Sequence, residues 1–576
     1  MLIMKKLFVL AIGALIWVGS ASAQPVIRAE NGVLNTSSYL PDIARGSWFV
    51  VFGTGMGPAS FSAYSGGLPY PTELSGTRVT FTPASGGAAV EARMWYTSMA
   101  TQLGALLPSA TTAGDYDVRV IYNGQTSAPR RVKVVERNFG FATQAQNGAG
   151  PAQATYGGLD LNRFTTGRIE PYAVRPAKAG DTVVLWGTGL GPDLSSDLTG
   201  ATSGDQTAAA QVRVVVGGTE IAPLYAGRSG GYPGLDQINF TLPAGVASGC
   251  FVSLQVRAGG RTSNLGSLAI VNAGQQSCTS PVLTTAQLSK LDQGGTLTYG
   301  DFTLTGVGVK MTIPGYGSID TRTESVSGSF GRYRIDQIAT ASFSVTVSGE
   351  CVVARRKGGL NDLTTGTAQA GLDAGSALSL TLPGGSVVSV PKDSTTNTYS
   401  KSLGGTPNPL GPAPPAVIVA GTYNLAGPGG SDVRAFTASI NAPGGFVWSN
   451  QDSIAEVDRS RSLPIAWSGA QTGSVSIVGL AGQQAGGTAQ NPIYDVAVFS
   501  CLAPASAGQY TVSTSVLQQL PAATFDITGT GIGMLIVMAQ PDANAGKFDA
   551  QLTVGGAVDG ARFTYGIGSA KTLSYR

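Results

Sequence analysis

A long internal repeat limits what this chain can fold into more than any other feature of its sequence. Gly46–Pro58 reads GSWFVVFGTGMGP and Gly180–Pro192 reads GDTVVLWGTGLGP, an offset of 134 residues. The correspondence continues downstream. Thr77–Val79 matches Val212–Val214, and Gln102–Pro108 (QLGALLP) matches Gln237–Pro243 (QINFTLP). Tyr116–Val120 followed by Asn123-Gly124 matches Val252–Val256 followed by Gly259-Gly260. Self-similarity at a fixed spacing marks one structural unit used twice.

Each copy reads as roughly seven short strands, with Gly, Pro, Asn or Asp recurring about every 8 to 12 residues, the pattern of a β-sandwich. In Tyr116–Val120 the alternation places Tyr116, Val118 and Val120 on one face and Asp117 and Arg119 on the other. Asn123-Gly124 is a hairpin signal because both residues of a tight two-residue turn need positive φ. No long stretch of helical period competes. The fold class expected is all-β: tandem immunoglobulin-like β-sandwiches over 24–137 and 138–275, followed by a strand-rich C-terminal region. That region divides at a proline-rich connector, 404–415, into a β-rich domain over 280–403 and a C-terminal β-sandwich over 416–576. Its strands are expected at Thr296–Thr305, Ala341–Val347 and Ala377–Leu382, then at Ala435–Ile440, Leu463–Trp467, Ser474–Val478, Asp495–Phe499 and Met534–Met538. With 81 glycines and 31 prolines among 576 residues, the chain stays below the Gly and Pro content of low-complexity sequence, so folded modules are expected.

The N-terminal segment 1–23 reads as a secretory signal peptide. Lys5 and Lys6 precede an apolar run from Leu7 to Val18, and Ala21-Ser22-Ala23 supplies a small-residue cleavage site before Gln24. The apolar run is too short to span a bilayer, so no membrane span is expected after cleavage, and the mature chain is expected to be secreted or held at the cell surface. Four cysteines, an even number in an exported chain, permit two disulfides in three pairings. Cys250 with Cys278 is the preferred pair because the two bracket the strand hairpin Phe251–Val271. Cys351 with Cys501 would then join the two halves of the C-terminal region.

Charge and residue type exclude several functions. A formal net charge of +3, with basic clusters only at Arg130–Lys133 and Arg355–Lys357, provides no stripe for tracking phosphates, so no nucleic-acid partner is expected. The chain has no histidine, which excludes imidazole-based activation of a serine or cysteine within it. Gly227–Gly231 (GRSGG) spells a nucleophile elbow around Ser229, but no helix follows to form the turn. Ser389–Lys392 (SVPK) spells a serine–lysine dyad on what reads as a strand end, where the helical geometry fails. The Gly-Thr-Gly-Xaa-Gly segments at Gly53, Gly187 and Gly529 read as strand-ending turns, since no helix N-terminus follows to hold phosphate. The acids Asp193 to Asp197 match no calcium loop and read as a solvated turn. No metal and no cofactor is expected.

The stretch covering about residues 25–272 resembles the Solibacter-type exported domain family of acidobacteria, uncharacterised relatives of the immunoglobulin-like IPT/TIG modules. The resemblance rests on Gly53–Pro58, Leu68–Gly76 (LPYPTELSG), Gln102–Pro108, Pro176–Asp181 with Gly187–Pro192, and Tyr225–Gly227 followed by Gly234–Asn239 (GLDQIN). It implies an extracytoplasmic all-β module and transfers no catalytic residue.

The function expected is non-enzymatic: an exported modular protein that binds, adheres or acts as a spacer, with a surface protein or a polysaccharide as partner. The aromatic residues weighed as a sugar-stacking platform are Trp95, beside Tyr96, and Trp448, whereas Trp186, which aligns with Phe52, is expected in the core. The alternative is a carbohydrate-binding or carbohydrate-active C-terminal half, in which Asp452, Glu456 and Asp458 near Trp448 would supply paired carboxylates.

Overall fold

The computed structural model describes residues 24–157, 160–202, 204–313, 317–340, 351–358, 371–404, 415–487, 492–525 and 530–576. The leader 1–23, the strand expected at Ala341–Val347, nearly all of the connector 404–415 and the turn glycine Gly529 lie outside the described residues.

Both repeat copies are immunoglobulin-like β-sandwiches. In the first, one sheet runs in the order Val26–Ile27, Trp48–Thr54, Gln102–Leu106, Arg93–Ser98, Ser62–Ala63, and the facing sheet runs Ile43–Ala44, Arg130–Val135, Gly114–Tyr122, Thr77–Pro83, Val90–Glu91. Alternation along the strands builds the core between them. Phe49, Val51, Leu103 and Ala105 meet Val79, Phe81, Tyr116, Val118 and Val120, all buried. The second copy repeats the plan, with Thr182–Thr188 beside Asp236–Thr241 in one sheet and Arg213–Val216, Gly249–Ala258 and Gly266–Val271 in the other. An edge detail recurs too: Ile43–Ala44 pairs in parallel with Arg130–Val135, as Ala177–Lys178 does with Gly266–Val271. The hairpin turn expected at Asn123-Gly124 has φ of 46° and 78°, and its counterpart Gly259-Gly260 has 57° and 74°.

The C-terminal region is built differently from the two-domain division drawn from the sequence. One open sheet of eight strands runs in the order Cys351–Gly358, Pro492–Pro504, Ser474–Gly487, Gly531–Gln540, Gly560–Thr572, Leu297–Ile313, Gly317–Tyr333, Tyr399–Ser402. The last long strand of the chain, Gly560–Thr572, lies parallel to Leu297–Ile313, and Cys351–Gly358 pairs with Pro492–Pro504. Residues 280–403 and 416–576 therefore interleave in one sheet, and 404–415 is no boundary between domains. Two smaller sheets cover this long one. Val387–Pro391, Ala377–Thr381, Gly421–Gly427 and Phe436–Ala442 enclose a core around Phe302, Phe330, Phe436 and Phe563. Val447–Trp448, Leu463–Ser468 and Gln509–Val512 cover Val475, Ile477, Phe499, Leu535 and Val537.

Both disulfides of the preferred pairing are present. Cys250–Cys278 sits in the core that joins the second sandwich to the rest of the chain, and Cys351 lies directly opposite Cys501 on neighbouring strands. That joining core includes the short helix Thr285–Asp292, capped by a reciprocal Thr284–Gln287 pair. At its end the buried Asp292 carboxylate accepts hydrogen bonds from the Phe164 and Thr165 N–H groups and from the Thr165 hydroxyl. Among the described residues no helix is long and apolar enough to cross a membrane.

Candidate functional site

Where the two sandwiches meet, a cleft of about 470 Å³ opens between their outward faces. The first sandwich contributes aromatics to it in an order dictated by strand geometry. Trp48 begins its strand on the parity opposite to the core residues Phe49 and Val51, so its indole points out of the sandwich. Trp95 and Tyr96 are adjacent in sequence and would normally face opposite sides. A shift of register between Met94 and Tyr96, opposite Ala105 and Gly104, makes Trp95 the extra residue of a β-bulge, and both rings turn into the cleft. Trp48 and Trp95 stack with centroids 4.7 Å apart and planes 18° from parallel; Tyr96 meets Trp95 edge-on at 5.0 Å. Phe61, 65% exposed, stacks on the outer side of Tyr96 at 6.1 Å.

Gly104 makes this possible. A Cβ there would run into the Tyr96 ring, which lies across the bare backbone of the neighbouring strand. Gln102 Nε2 donates to the Tyr96 hydroxyl at 2.6 Å, and burial pushes the phenol up to about 12, so the ring remains neutral under physiological conditions. The second sandwich closes the cleft with Trp186, Thr143, Gln146 and Gln153. Trp186 is half-buried rather than in the core. It shares the outward parity of Val184, while Val183 and Leu185 point inward, and its Nε1 donates to Thr155 Oγ1 at 3.1 Å. Among the described residues that line the cleft, none is charged. Three of them carry a buried polar atom without a hydrogen-bond partner among the described residues: Thr36 (Oγ1), Trp48 (Nε1) and Thr143 (Oγ1). Such groups are uncommon in native interiors and call for a specific role.

The cleft depends on a polar joint between the modules. Arg228 and Asp236, both fully buried, form an ion pair within the second sandwich, and Arg228 also donates to the Gly46 carbonyl of the first module at 2.6 Å and to the Gly191 carbonyl at 2.7 Å. Asp236 in turn accepts the Leu190 N–H at 2.7 Å. Thr188 bridges the modules by accepting the Trp48 N–H and donating to the Gly234 carbonyl. Asp197 accepts from the Ser109 N–H and hydroxyl, and burial raises its carboxyl above the ordinary value. The segment Asp193 to Asp197, expected as a solvated turn, is thus part of this joint: Asp193 caps the helix Leu194–Thr199 and Asp197 is buried. Gly189 and Gly191 of the second glycine-rich segment have φ of 106° and 131°, as turns require, but the expectation that no helix follows is corrected: Leu194–Thr199 begins just after Pro192, and the Asp193 carboxylate occupies its N-terminus. The Gly227–Gly231 segment supplies Arg228 to the joint, while the Ser229 N–H is bonded to the Leu235 carbonyl.

Each of the C-terminal candidates is engaged by another partner. Trp448 is 3% exposed, packs in the core beside Trp467, and donates from Nε1 to Asn450 Oδ1 at 2.9 Å, so it presents no platform. Asp452 pairs with Lys310 at 2.6 Å, Glu456 with Arg576 at 3.0 Å, and Asp458 accepts from the Ser460 hydroxyl at 2.6 Å. The Lys310 ammonium lowers the Asp452 carboxyl, and the hydrogen bonds of Ser460 lower that of Asp458, the opposite of what a general acid needs. Lys392 of the serine–lysine spelling is bound by Asp373 at 2.6 Å.

No family model matches the chain, and no curated protein matches it in sequence. Among solved structures it is similar to SGBP-B of a mixed-linkage glucan utilization locus of Bacteroides ovatus, in complex with a mixed-linkage heptasaccharide. The identity is 10% and the TM-score 0.18, over 51% of this chain and 66% of that one, so the match spans just under two thirds of that structure. It is also similar to SGBP-B of a complex xyloglucan utilization locus of Bacteroides uniformis, at 12% identity and a TM-score of 0.16 over 66% of this chain and 86% of that one. Immunoglobulin domains 1–4 of Sidekick-1 match at 10% identity and a TM-score of 0.11, over 95% and 100% of the two chains. Overlaps this low carry no argument about ligand or activity.

Proposed function

We propose that the chain is an exported, non-enzymatic binding protein of the cell surface or extracellular space, and that the cleft between its first two modules holds a polysaccharide. The observation that carries this reading is the aromatic wall of Trp48, Trp95 and Tyr96, with Trp186 of the second module lining the same cleft among amides and hydroxyls. Its volume of about 470 Å³ falls within the range of small-ligand sites, about 300–1,000 Å³. A protein partner would instead require a broad surface of about 800 Å² on each side. Two disulfides favour an oxidising compartment, in keeping with the leader read at 1–23. Residues 25–272 are read as a pair of Solibacter-type modules on the strength of their motifs. The C-terminal half, its long sheet covered by two smaller ones, serves as a rigid spacer in this reading.

The test is a pull-down of the mature chain, 24–576, on insoluble polysaccharides and cell envelopes, with released reducing sugar assayed in the same tubes. Retention without sugar release is the expected outcome. Sugar release refutes the non-enzymatic reading, and failure to bind any of these materials leaves a spacer in place of a binding protein.

A further inference from the structure

We infer that the ligand of the inter-module cleft is an uncharged glycan, recognised by ring stacking and by neutral hydrogen bonds. This rests on the reading that the cleft is a polysaccharide site and adds the chemical class. Four ligand chemistries fit an aromatic cleft in general: an uncharged sugar chain, an acidic sugar chain, a nucleotide, and a quaternary ammonium group.

Acidic chains and nucleotides bring fixed negative charge, which a site meets with Arg, Lys or a helix N-terminus. Among the described lining residues none is charged. A quaternary ammonium needs open ring faces converging on one point. Here the facing surfaces of Trp48 and Trp95 are covered by each other, and Tyr96 is covered on its outer side by Phe61, so the rings form a stepped wall rather than a cage. A sugar ring presents an apolar face of C–H bonds and an edge of hydroxyls that both donate and accept. Gln146 and Gln153, which line the same cleft as Trp186, offer amides of the same double capacity. Thr36 Oγ1, Trp48 Nε1 and Thr143 Oγ1 lie beneath this lining, shielded from solvent, and are not among the groups offered to a ligand. Because the Tyr96 phenol is neutral, nothing in this wall acquires charge as the pH moves across the physiological range.

The experiment is affinity electrophoresis of the full mature chain in native gels that contain hydroxyethylcellulose or galactomannan as uncharged polymers, or polygalacturonate as the acidic one, at 50 and 500 mM salt. Four variants run beside the parent: Trp95→Ala, Trp186→Ala, Gly104→Ala and, as a control outside the cleft, Tyr172→Ala. Gly104→Ala removes no cleft side chain and acts by displacing the Tyr96 ring, so it tests the site even if loss of Trp95 weakens the fold. Retardation by at least one uncharged polymer is expected, less than twofold dependent on salt. Retention should weaken at least tenfold in Trp95→Ala and Trp186→Ala and measurably in Gly104→Ala, with Tyr172→Ala unchanged. Tryptophan emission of the parent chain should shift with the uncharged polymer alone. Retardation only by polygalacturonate, lost at 500 mM salt, overturns the uncharged class while leaving a polysaccharide-binding protein. Retardation unaffected by all cleft variants overturns the site but not the binding reading, and no retardation by any polymer overturns both.

Discussion

Replacing Arg228 by leucine removes one partner of a fully buried ion pair and leaves the Asp236 carboxylate without its counter-charge. Breaking a buried pair in this way costs about 3–5 kcal/mol, because the remaining charge keeps its desolvation penalty and loses its compensation. Asp236 is left with backbone N–H donors such as that of Leu190, and burial already raises its carboxyl against the pull of Arg228. The Gly46 and Gly191 carbonyls lose a donor as well, so the damage reaches the first module. For a unit of this size the expected loss is on the order of 10–20 °C in melting temperature. Scanning calorimetry of the full chain measures the shift, and hydrogen-exchange mass spectrometry locates it. Peptides covering Thr182–Thr188 and Asp236–Thr241 should lose protection, whereas those covering Gly531–Gln540 should not. The double variant Arg228→Leu with Asp236→Leu should recover part of the loss, since two apolar residues leave no stranded charge. A change below about 1 kcal/mol for Arg228→Leu, or loss of protection spread equally into the C-terminal sheet, refutes the account of the joint.

Asp373 ties three segments of the C-terminal region together: it binds Lys392 and accepts from the Ser431 N–H and hydroxyl and from the Gly375 N–H, contacts that hold its carboxyl well below the usual range. A carboxyl depressed in the folded state stabilises above its unfolded value of about 3.9 and loses that contribution as the pH falls below it. Asp373→Asn is therefore expected to lose about 2 kcal/mol near neutrality, and the gap to the parent should narrow below about pH 4 in urea titrations; a gap independent of pH contradicts the assignment. The two disulfides close loops with separations of 28 and 150 residues. Chain entropy gives roughly 3.5 and 5 kcal/mol for these lengths, so replacing Cys351 and Cys501 by alanine should lower thermal stability more than replacing Cys250 and Cys278; the reverse order sinks the entropic explanation.

Local patterns were enough for the modules, and insufficient for the site. The repeat, the Asn123-Gly124 turn and the alternation in Tyr116–Val120 are short-range features, and a sandwich strand needs little more than its own two-residue period to declare which side it buries. Trp95 could be singled out as a platform residue because it adjoins Tyr96 near a strand end. Trp48 and Trp186 could have been found from parity, since each sits opposite in phase to the core residues of its strand. Trp448 has no such signal. It lies in a strand of two residues, and only the packing of Leu463–Ser468 and Gln509–Val512 over the long sheet buries it.

The sequence by itself determined that the chain is all-β, that one sandwich is used twice, and that histidine-based chemistry is absent, because composition, turn residues and strand period act over a few neighbouring positions. The tertiary structure alone decided that Gly560–Thr572 lies beside Leu297–Ile313, that Arg228 reaches Gly46, and that aromatics from two modules share one cleft. Those outcomes join residues far apart in the chain, where pairing is set by which exposed faces and edges fit together once the modules have formed, and no local pattern records that choice.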